Sequence, residues 1–508
     1  MKRVWGVKKV FSFMFLALTV FVLLTACGGG GGGGTGGTTP PPSSGGGNNA
    51  TITGTVSGTT VKAFDLSGTE VASNTATGNP KTFTLNVPAN GSYKFYLIEN
   101  EGTASERVYA LYQGTTNVFN IASAVTINLG FVDTSTGVAV PQNNPLNVSG
   151  VTSGGENTTI PTSLAGSAFS LADFAGTWNY HGLISGDSTN VNAPRPGWYW
   201  GSYTLDSNGN LAGASVVTDS FGNSSYVPVD PTPSDPFVDI SAGGVVTVPS
   251  ASSYRGIMNK SKDMVVVTAT MAPGNINGVN GYNLQIALKS GGTFSPTDLT
   301  GTWDWHILMS GDGANMNAWG YGTAVIDGSG NATVTCVAGS NGCSTPWSTA
   351  FTIDTTSGVV SQTGYPSFSG VMSQDKSMMV ATMDDDGGGY NLIILQKAGG
   401  TFAQSDLTGT WNFHQLWSGD PPGNNNGWGY LTAVIDGSGS TSLYCGADSD
   451  NSCNPYGAPL SRTLTITTSG VVSQTGDPNF NLMMSQDKSI LVGTDGGSNW
   501  FSILIGIK

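Results

Sequence analysis

All three histidines of this chain stand in the same short phrase: Trp178-Asn179-Tyr180-His181, Trp303-Asp304-Trp305-His306 and Trp411-Asn412-Phe413-His414. Six residues past each histidine comes an aspartate in Ser-Gly-Asp: Asp187, Asp312 and Asp420. Imidazole and carboxylate at a recurring spacing are the groups that move protons or hold metals. One histidine per phrase is too few for a metal unless three phrases converge. Duplication also preserves any residue that merely packs. A framework histidine is therefore the first reading, with a ligand rim or a shared His/Asp site as alternatives.

Alternation along an extended strand puts Trp303, Trp305, Ile307 and Met309 on one face and Asp304, His306, Leu308 and Ser310 on the other. The Trp face is apolar in all three copies and is expected to be core, with histidine on the more polar face. Beyond each Ser-Gly-Asp lies an Asn- and Gly-rich loop, then aromatics: Trp198 and Trp200, Trp319 and Tyr321, Trp428 and Tyr430. Rings beside amides and carboxylates suit a sugar or another polar ligand. The same rings would equally serve as core beneath a variable loop. His181, His306, His414, the three aspartates and these six aromatics form the candidate ligand-binding set.

Other chemistry is thin. Asp384-Asp385-Asp386-Gly387 lacks the alternating order of a calcium loop and reads as a solvated turn. No Gly-x-Ser-x-Gly elbow, His-Glu-x-x-His or phosphate-binding glycine loop occurs. No catalytic residue, metal site or cofactor is assigned, and a non-enzymatic role is favoured over a hydrolase with a His/Asp site.

The phrases belong to three tandem copies, each opening Phe-x-x-x-Asp-[Phe/Leu]-x-Gly-Thr-Trp at Phe169, Phe294 and Phe402. The copies share an Asp-Gly-Ser-Gly type turn (Asp327, Asp436, with Asp206 in the first) and a Met-Ser-Gln-Asp-Lys segment (Met372–Lys376, Met484–Lys488, looser at Met258–Asp263). Short alternating strands and turn residues fill the rest, with no helical period. The fold class is all-β: a small β-sandwich followed by three antiparallel meanders of about 110 residues, each expected to close as an eight-stranded barrel. A six-bladed β-propeller, two blades per copy, is the alternative. The expected divisions are 1–27 signal peptide, 28–49 Gly/Pro/Ser tether, 50–133 sandwich, 134–167 linker, and repeats at 168–290, 291–398 and 399–508.

The first 27 residues carry Lys2, Arg3, Lys8 and Lys9, then an apolar run from Val10 to Leu24, as a secretory signal does. The closing Leu24-Thr25-Ala26-Cys27 resembles the lipobox of bacterial lipoproteins. That resemblance implies lipidation of Cys27, and Gly28 after it implies the outer membrane or cell surface of a Gram-negative bacterium. Of 18 Lys+Arg, four lie in this segment, leaving 14 against 32 Asp+Glu, a strongly acidic mature chain. Such a field disfavours nucleic acid as a partner. The partners expected are the membrane, through the lipid, and a polysaccharide or cell-envelope protein. The other four of the five cysteines fall at matching places in two repeats, Cys336 with Cys343 and Cys445 with Cys453, which reads as two local disulfides in an exported protein.

Two further resemblances concern fold. The stretch from Ile52-Thr-Gly-Thr-Val56 through Phe83-Thr-Leu-Asn-Val87 to Tyr93-Lys-Phe95 resembles carboxypeptidase-regulatory or transthyretin-like sandwiches, which implies a spacer or adhesive module. Asp-Leu-Thr-Gly-Thr-Trp opening a meander resembles the Gly-x-Trp start of lipocalin-like and avidin-like barrels, which implies a Trp plugging one barrel end. The later lipocalin motifs have no counterpart, so no lipophilic pocket is implied. The functional expectation is a surface lipoprotein that binds an extracellular ligand or envelope partner multivalently, or else a structural spacer.

Overall fold

The structure is a computed structural model that describes residues 49–186, 196–212, 215–220, 237–249, 251–271, 281–311, 317–385, 388–419, 426–450, 452–497 and 500–508. The signal, Cys27, the tether and the three aspartates Asp187, Asp312 and Asp420 lie outside the described residues.

Ten strands build the sandwich: β1 (Asn49–Val56), β2 (Thr60–Asp65), β3 (Glu70–Thr75), β4 (Lys81–Pro88), β5 (Gly91–Glu99), β6 (Arg107–Ala110), β7 (Phe119–Ile121), β8 (Thr126–Asp133), β9 (Val140–Pro141) and β10 (Val151–Ser153). One sheet runs β4-β1-β8-β9 and the other β10-β7-β5-β2-β3, with β6 on β5. The alternating burial of Phe83, Leu85 and Val87 against Ile52 and Ile127 shows why period two folds this way. β9 and β10 come from the polar stretch read as a linker. They join because β8 and β7 offer unpaired edges and Val151 has a buried place to go.

The first repeat contributes β11 (Gly176–Ser185), β12 (Gly197–Leu205), β13 (Val216–Asp219), β14 (Asp239–Ile240), β15 (Val245–Val248), β16 (Ala251–Met258), β17 (Met264–Met271) and β18 (Gly281–Lys289). The second has β19 (Gly301–Gly311), β20 (Ala318–Ile326), β21 (Asn331–Gly339), β22 (Trp347–Ile353), β23 (Val359–Gln362), β24 (Tyr365–Met372), β25 (Met378–Asp384) and β26 (Gly389–Lys397). The third has β27 (Gly409–Gly419), β28 (Gly427–Ile435), β29 (Ser440–Asp448), β30 (Leu460–Ile466), β31 (Val471–Gln474), β32 (Asp477–Met484), β33 (Ile490–Gly496) and β34 (Trp500–Ile507).

Repeats 2 and 3 are closed eight-stranded barrels. Repeat 1 corrects the expectation of three. Its eight strands form one open sheet with β13 and β14 at the edges. Those edge strands have four and two residues, against nine and seven in the closed copies. The intervening sequence carries Pro228, Pro231, Pro233 and Pro236, each lacking the N–H that a ladder needs. The barrels also displace the propeller alternative, since each closed copy pairs its first strand with its eighth.

The recurring opening phrase is a barrel plug. Phe169, Phe294 and Phe402 are buried, and a short 3₁₀ turn follows each. The turn's aspartate accepts from the backbone N–H three residues earlier, at 2.8 Å in Asp173, Asp298 and Asp406. Trp178, Trp303 and Trp411 are fully buried, and each indole Nε1 donates to the carbonyl four residues back, at 2.8, 2.7 and 2.7 Å. The glycine between turn and Trp has φ of 123°, 128° and 131°, where a side chain would be strained. Lys289, Lys397 and Lys508 lie over the Trp rings at 5.5, 5.4 and 5.2 Å. The Met-Ser-Gln-Asp-Lys segment serves the same end: Lys262, Lys376 and Lys488 reach Asp173, Asp298 and Asp406 at 2.9, 3.0 and 2.9 Å.

The repeats are not beads. β11 and β12 pack on β25 and β26, β19 and β20 on β33 and β34, and β27 and β28 on β17 and β18. First strands β11, β19 and β27 touch one another, so the three units close a ring. The sandwich sits on the seam between repeats 1 and 3. Arg107, fully buried, donates from Nη1 to Gly243 O (2.8 Å) and from Nη2 to Met258 O (2.8 Å) and Lys508 O (3.4 Å). Asn100 bonds both backbone groups of Thr410, at 2.9 and 2.7 Å. In repeats 1 and 2 the carbonyl equivalent to Thr410 O is satisfied by the main chain, from Ser290 N and Ala398 N.

Candidate functional site

The strand register explains where the histidines go. Trp faces the barrel interior, so His181, His306 and His414 point outward, as alternation predicts. That outward face is not solvated. Leu183, Leu308 and Leu416 share it, and all belong to one apolar cluster between the units. The three histidines are 3 %, 2 % and 0 % exposed, which makes them part of the ring's core.

Each histidine crosses an interface to a threonine on the seventh strand of a neighbouring repeat. His181 Nδ1 lies 3.1 Å from Thr382 Oγ1, His306 Nδ1 3.4 Å from Thr494 Oγ1, and His414 Nδ1 3.0 Å from Thr268 Oγ1. The three contacts run round the ring in one sense. Burial pushes all three imidazoles down to about 3, so they are neutral at any ordinary pH. His414 Nε2 is buried without a partner. A neutral imidazole hydrogen-bonded to one hydroxyl positions surfaces, and among the described residues the partner is a threonine in each case. Among the described residues no group of three or more His, Cys, Asp or Glu is placed to hold a metal.

The aromatics beyond the loops lie in the same interfaces. Trp198 Nε1 donates to Asp384 Oδ1 at 2.5 Å, and Trp428 Nε1 to Thr270 Oγ1 at 2.8 Å. Trp319 packs on Gly496, where a Cβ would come within 2.4 Å of its Nε1. Positions 384, 496 and 270 are equivalent in the register, so this contact also repeats round the ring. Trp200, Tyr321 and Tyr430 flank the histidine rings at centroid distances of 6.3, 5.6 and 4.9 Å. Of the twelve candidate residues, nine are described: the three histidines, Trp198, Trp319 and Trp428 meet a neighbouring unit, and Trp200, Tyr321 and Tyr430 lie beside the histidines of their own repeats. Asp384, read as part of a solvated turn, is exposed at the end of β25 and also accepts from Trp198.

Sequence reading passed over the threonines. Their signal was present: Thr268, Thr382 and Thr494 each stand four residues after the first residue of the seventh strand, Met264, Met378 and Ile490. A recurring polar residue in an apolar strand asks for a partner, and the recurring histidine was available.

At the far end of the first strands the chain converges further. Ser185, Ser310 and Ser418 are fully buried. Ser418 Oγ is 2.9 Å from Ser310 Oγ, and Ser185 Oγ donates to Trp417 O at 2.7 Å. Asn317 Nδ2 reaches Gly419 O at 3.3 Å. The points where the three loops leave their strands are thus held together.

Both disulfides are formed, Cys336–Cys343 and Cys445–Cys453, each between the third strand and the connection to the fourth. No helix among the described residues is long and apolar enough to cross a membrane.

No protein-family model and no curated protein matches the chain. Among solved structures, a protein of unknown function from the DUF3598 family of Nostoc punctiforme aligns at 10% identity over 45% of this chain and 99% of its own, TM-score 0.17. A double mutant of transferrin binding protein B from Haemophilus parasuis aligns at 11% identity, 66% and 76% coverage, TM-score 0.20. Isotype 1 transferrin binding protein B from Neisseria meningitidis aligns at 8%, 88% and 84%, TM-score 0.19. At these scores the all-β assignment rests on the strand pairing above.

Proposed function

We propose that the protein is a lipid-anchored binding module of the bacterial outer surface, in which the ring presents the three Asn- and Gly-rich loops as one composite face. The observation that carries this reading is the convergence of Ser185, Ser310 and Ser418 at the loop ends of the first strands. The strand ends that bear three loops of different sequence meet at one buried point, which supports a single composite binding surface. They act together with no linker entropy between them, unlike tethered beads. A polysaccharide or envelope protein is the partner class, and the Cys27 lipid with its tether holds the face away from the membrane.

The test is retention of the chain from residue 28 onward on glycan arrays and on native cell surfaces. Retention that is lost when residues 187–195, 312–316 and 420–425 are replaced together by Gly-Ser loops supports the reading. Absence of retention, or retention that survives the replacement, overturns it. The spacer alternative now makes a different forecast. Deleting one repeat from a ring removes interfaces from both remaining units, so it destabilises the molecule instead of shortening it.

A further inference from the structure

The interiors of the three repeats differ at one place that the register makes comparable. On the last strand, Asn283, Asn391 and Ser502 occupy the same position, facing inward at the end away from the Trp plug. In repeat 1 this amide is answered from within. Tyr199 Oη donates to Asn283 Oδ1 at 2.7 Å and lies 3.0 Å from Gln285 Oε1. Its ring crosses Gly182, its register partner, where a Cβ would come within 2.3 Å of the phenol.

Repeat 2 reverses that pair: Ile307 stands for Gly182 and Gly320 for Tyr199. The phenol is gone while the amide stays. Asn391 is 4 % exposed, and its Oδ1 has no hydrogen-bond partner. Trp305 Nε1, in the same interior, is also buried and unpartnered. Repeat 3 has Ser502 there, which accepts from Gln415 Nε2 at 2.9 Å. Only repeat 2, of the three, keeps the acceptor without an internal hydroxyl.

The approach in repeat 2 is also more aromatic than that in repeat 3. Trp347 and Tyr365 are 38 % and 39 % exposed, and Trp347 meets Trp305 edge-on at 6.4 Å. The corresponding residues of repeat 3 are Leu460 and Asp477. Asn391 is flanked in register by Met309 and Met383. Its Oδ1 is sealed from solvent, so entry requires these side chains to turn aside, which unbranched methionines do readily. An unmet buried acceptor is costly, and a ligand hydroxyl would relieve that cost while its ring replaces methionine contacts.

We propose that the interior mouth of the repeat 2 barrel binds a small planar ligand bearing a hydroxyl, held as repeat 1 holds Tyr199, with the hydroxyl donating to Asn391 Oδ1 and the ring among Trp305, Met309 and Met383. This site is separate from the composite loop face and stands or falls independently of it.

Phenol is the probe, titrated into the chain from residue 28 onward and followed by calorimetry and by the Trp305 indole N–H resonance. The expected result is saturable binding at one site per chain, with a shift of that resonance and affinity at least tenfold above that of toluene. Asn391→Leu should erase the preference for phenol over toluene. Transplanting repeat 1's pair, Ile307→Gly with Gly320→Tyr, should fill the site and abolish binding. Lack of saturation by 10 mM phenol, equal affinity for toluene, or a Trp305 resonance that does not move would each overturn the proposal using the unaltered protein alone. Undiminished binding in either folded variant would do the same.

Discussion

Repeat 1 and its two successors share a plug, a histidine and an interface, yet repeat 1 is an open sheet and the others are closed. The difference lies wholly between strands three and four. There repeat 1 has short edges and a proline-bearing connection, whereas repeats 2 and 3 have long paired strands and a disulfide. The ring interfaces use strands one, two, seven and eight. Strands three and four take no part in the main contacts between repeats, although β29 of repeat 3 packs on the sandwich, where Tyr444 stacks on Phe131 at 4.6 Å. Selection for assembly therefore fixes one side of each unit and leaves the other free to close, open or acquire a cross-link.

The largest test of what is shared is acid. The folded histidines titrate at about 3, below an unfolded value near 6.5, so folding favours the neutral form. Their contribution is complete above pH 6.5 and is lost as pH falls toward 3, at about 1.4 kcal/mol per histidine per pH unit. Asp304, raised by burial to about 6, and Asp495, raised to about 7, act in the opposite sense and offset part of this loss. Denaturant midpoints should fall between pH 6.5 and 4 by the part of the histidine loss that the aspartates do not offset, and fall less in His306→Gln. An unchanged slope in that variant would rule out the histidines as the cause.

Next comes the plug. Trp178→Ala, Trp303→Ala and Trp411→Ala should each cost about 3–5 kcal/mol by leaving a cavity. If open and closed units rely on it equally, the three losses agree in urea titrations. A much smaller loss for Trp178→Ala would show that an open sheet accommodates the cavity by collapse.

The cross-links should discriminate between the units. Cys336→Ser with Cys343→Ser removes a loop closure worth about 2.5 kcal/mol by chain entropy. Hydrogen exchange should then speed up in repeat 2 and stay unchanged in repeat 1; faster exchange spread evenly over the ring would mean that the units do not open separately. The smallest effect belongs to the interface hydroxyls. Thr382→Val and Thr268→Val should each cost about 1 kcal/mol, and Thr494→Val less, given its longer 3.4 Å contact. Equal costs would argue against distance as the determinant.

Much of the fold was legible because alternation and tandem recurrence are local signals. They located every first strand, the Trp plug and both disulfides. The open seam was less legible, since it turns on edge-strand length. The ring was hidden for a different reason. Leu308 and Ser310 beside His306 show only that the outward face is partly apolar, and nothing local says that a strand some 190 residues away will cover it. The candidate site suffered most, because aromatic residues at an interface and at a ligand platform look alike until their surroundings are known. Asn391 and Trp305 went unnoticed for the converse reason: what distinguishes them is a missing partner.

The arginine at the seam sets a timetable for the whole molecule. Arg107 and the Lys508 carbonyl it binds are 401 positions apart. At about 5–20 residues per second, synthesis delivers the second roughly 20–80 s after the first. Throughout that interval the sandwich can form its own core, but its guanidinium and Asn100 have no seam to grip. Exposed seam surfaces would then be open to wrong pairing between adjacent chains. Maturation should therefore register as a late step in protease resistance once the last strand arrives.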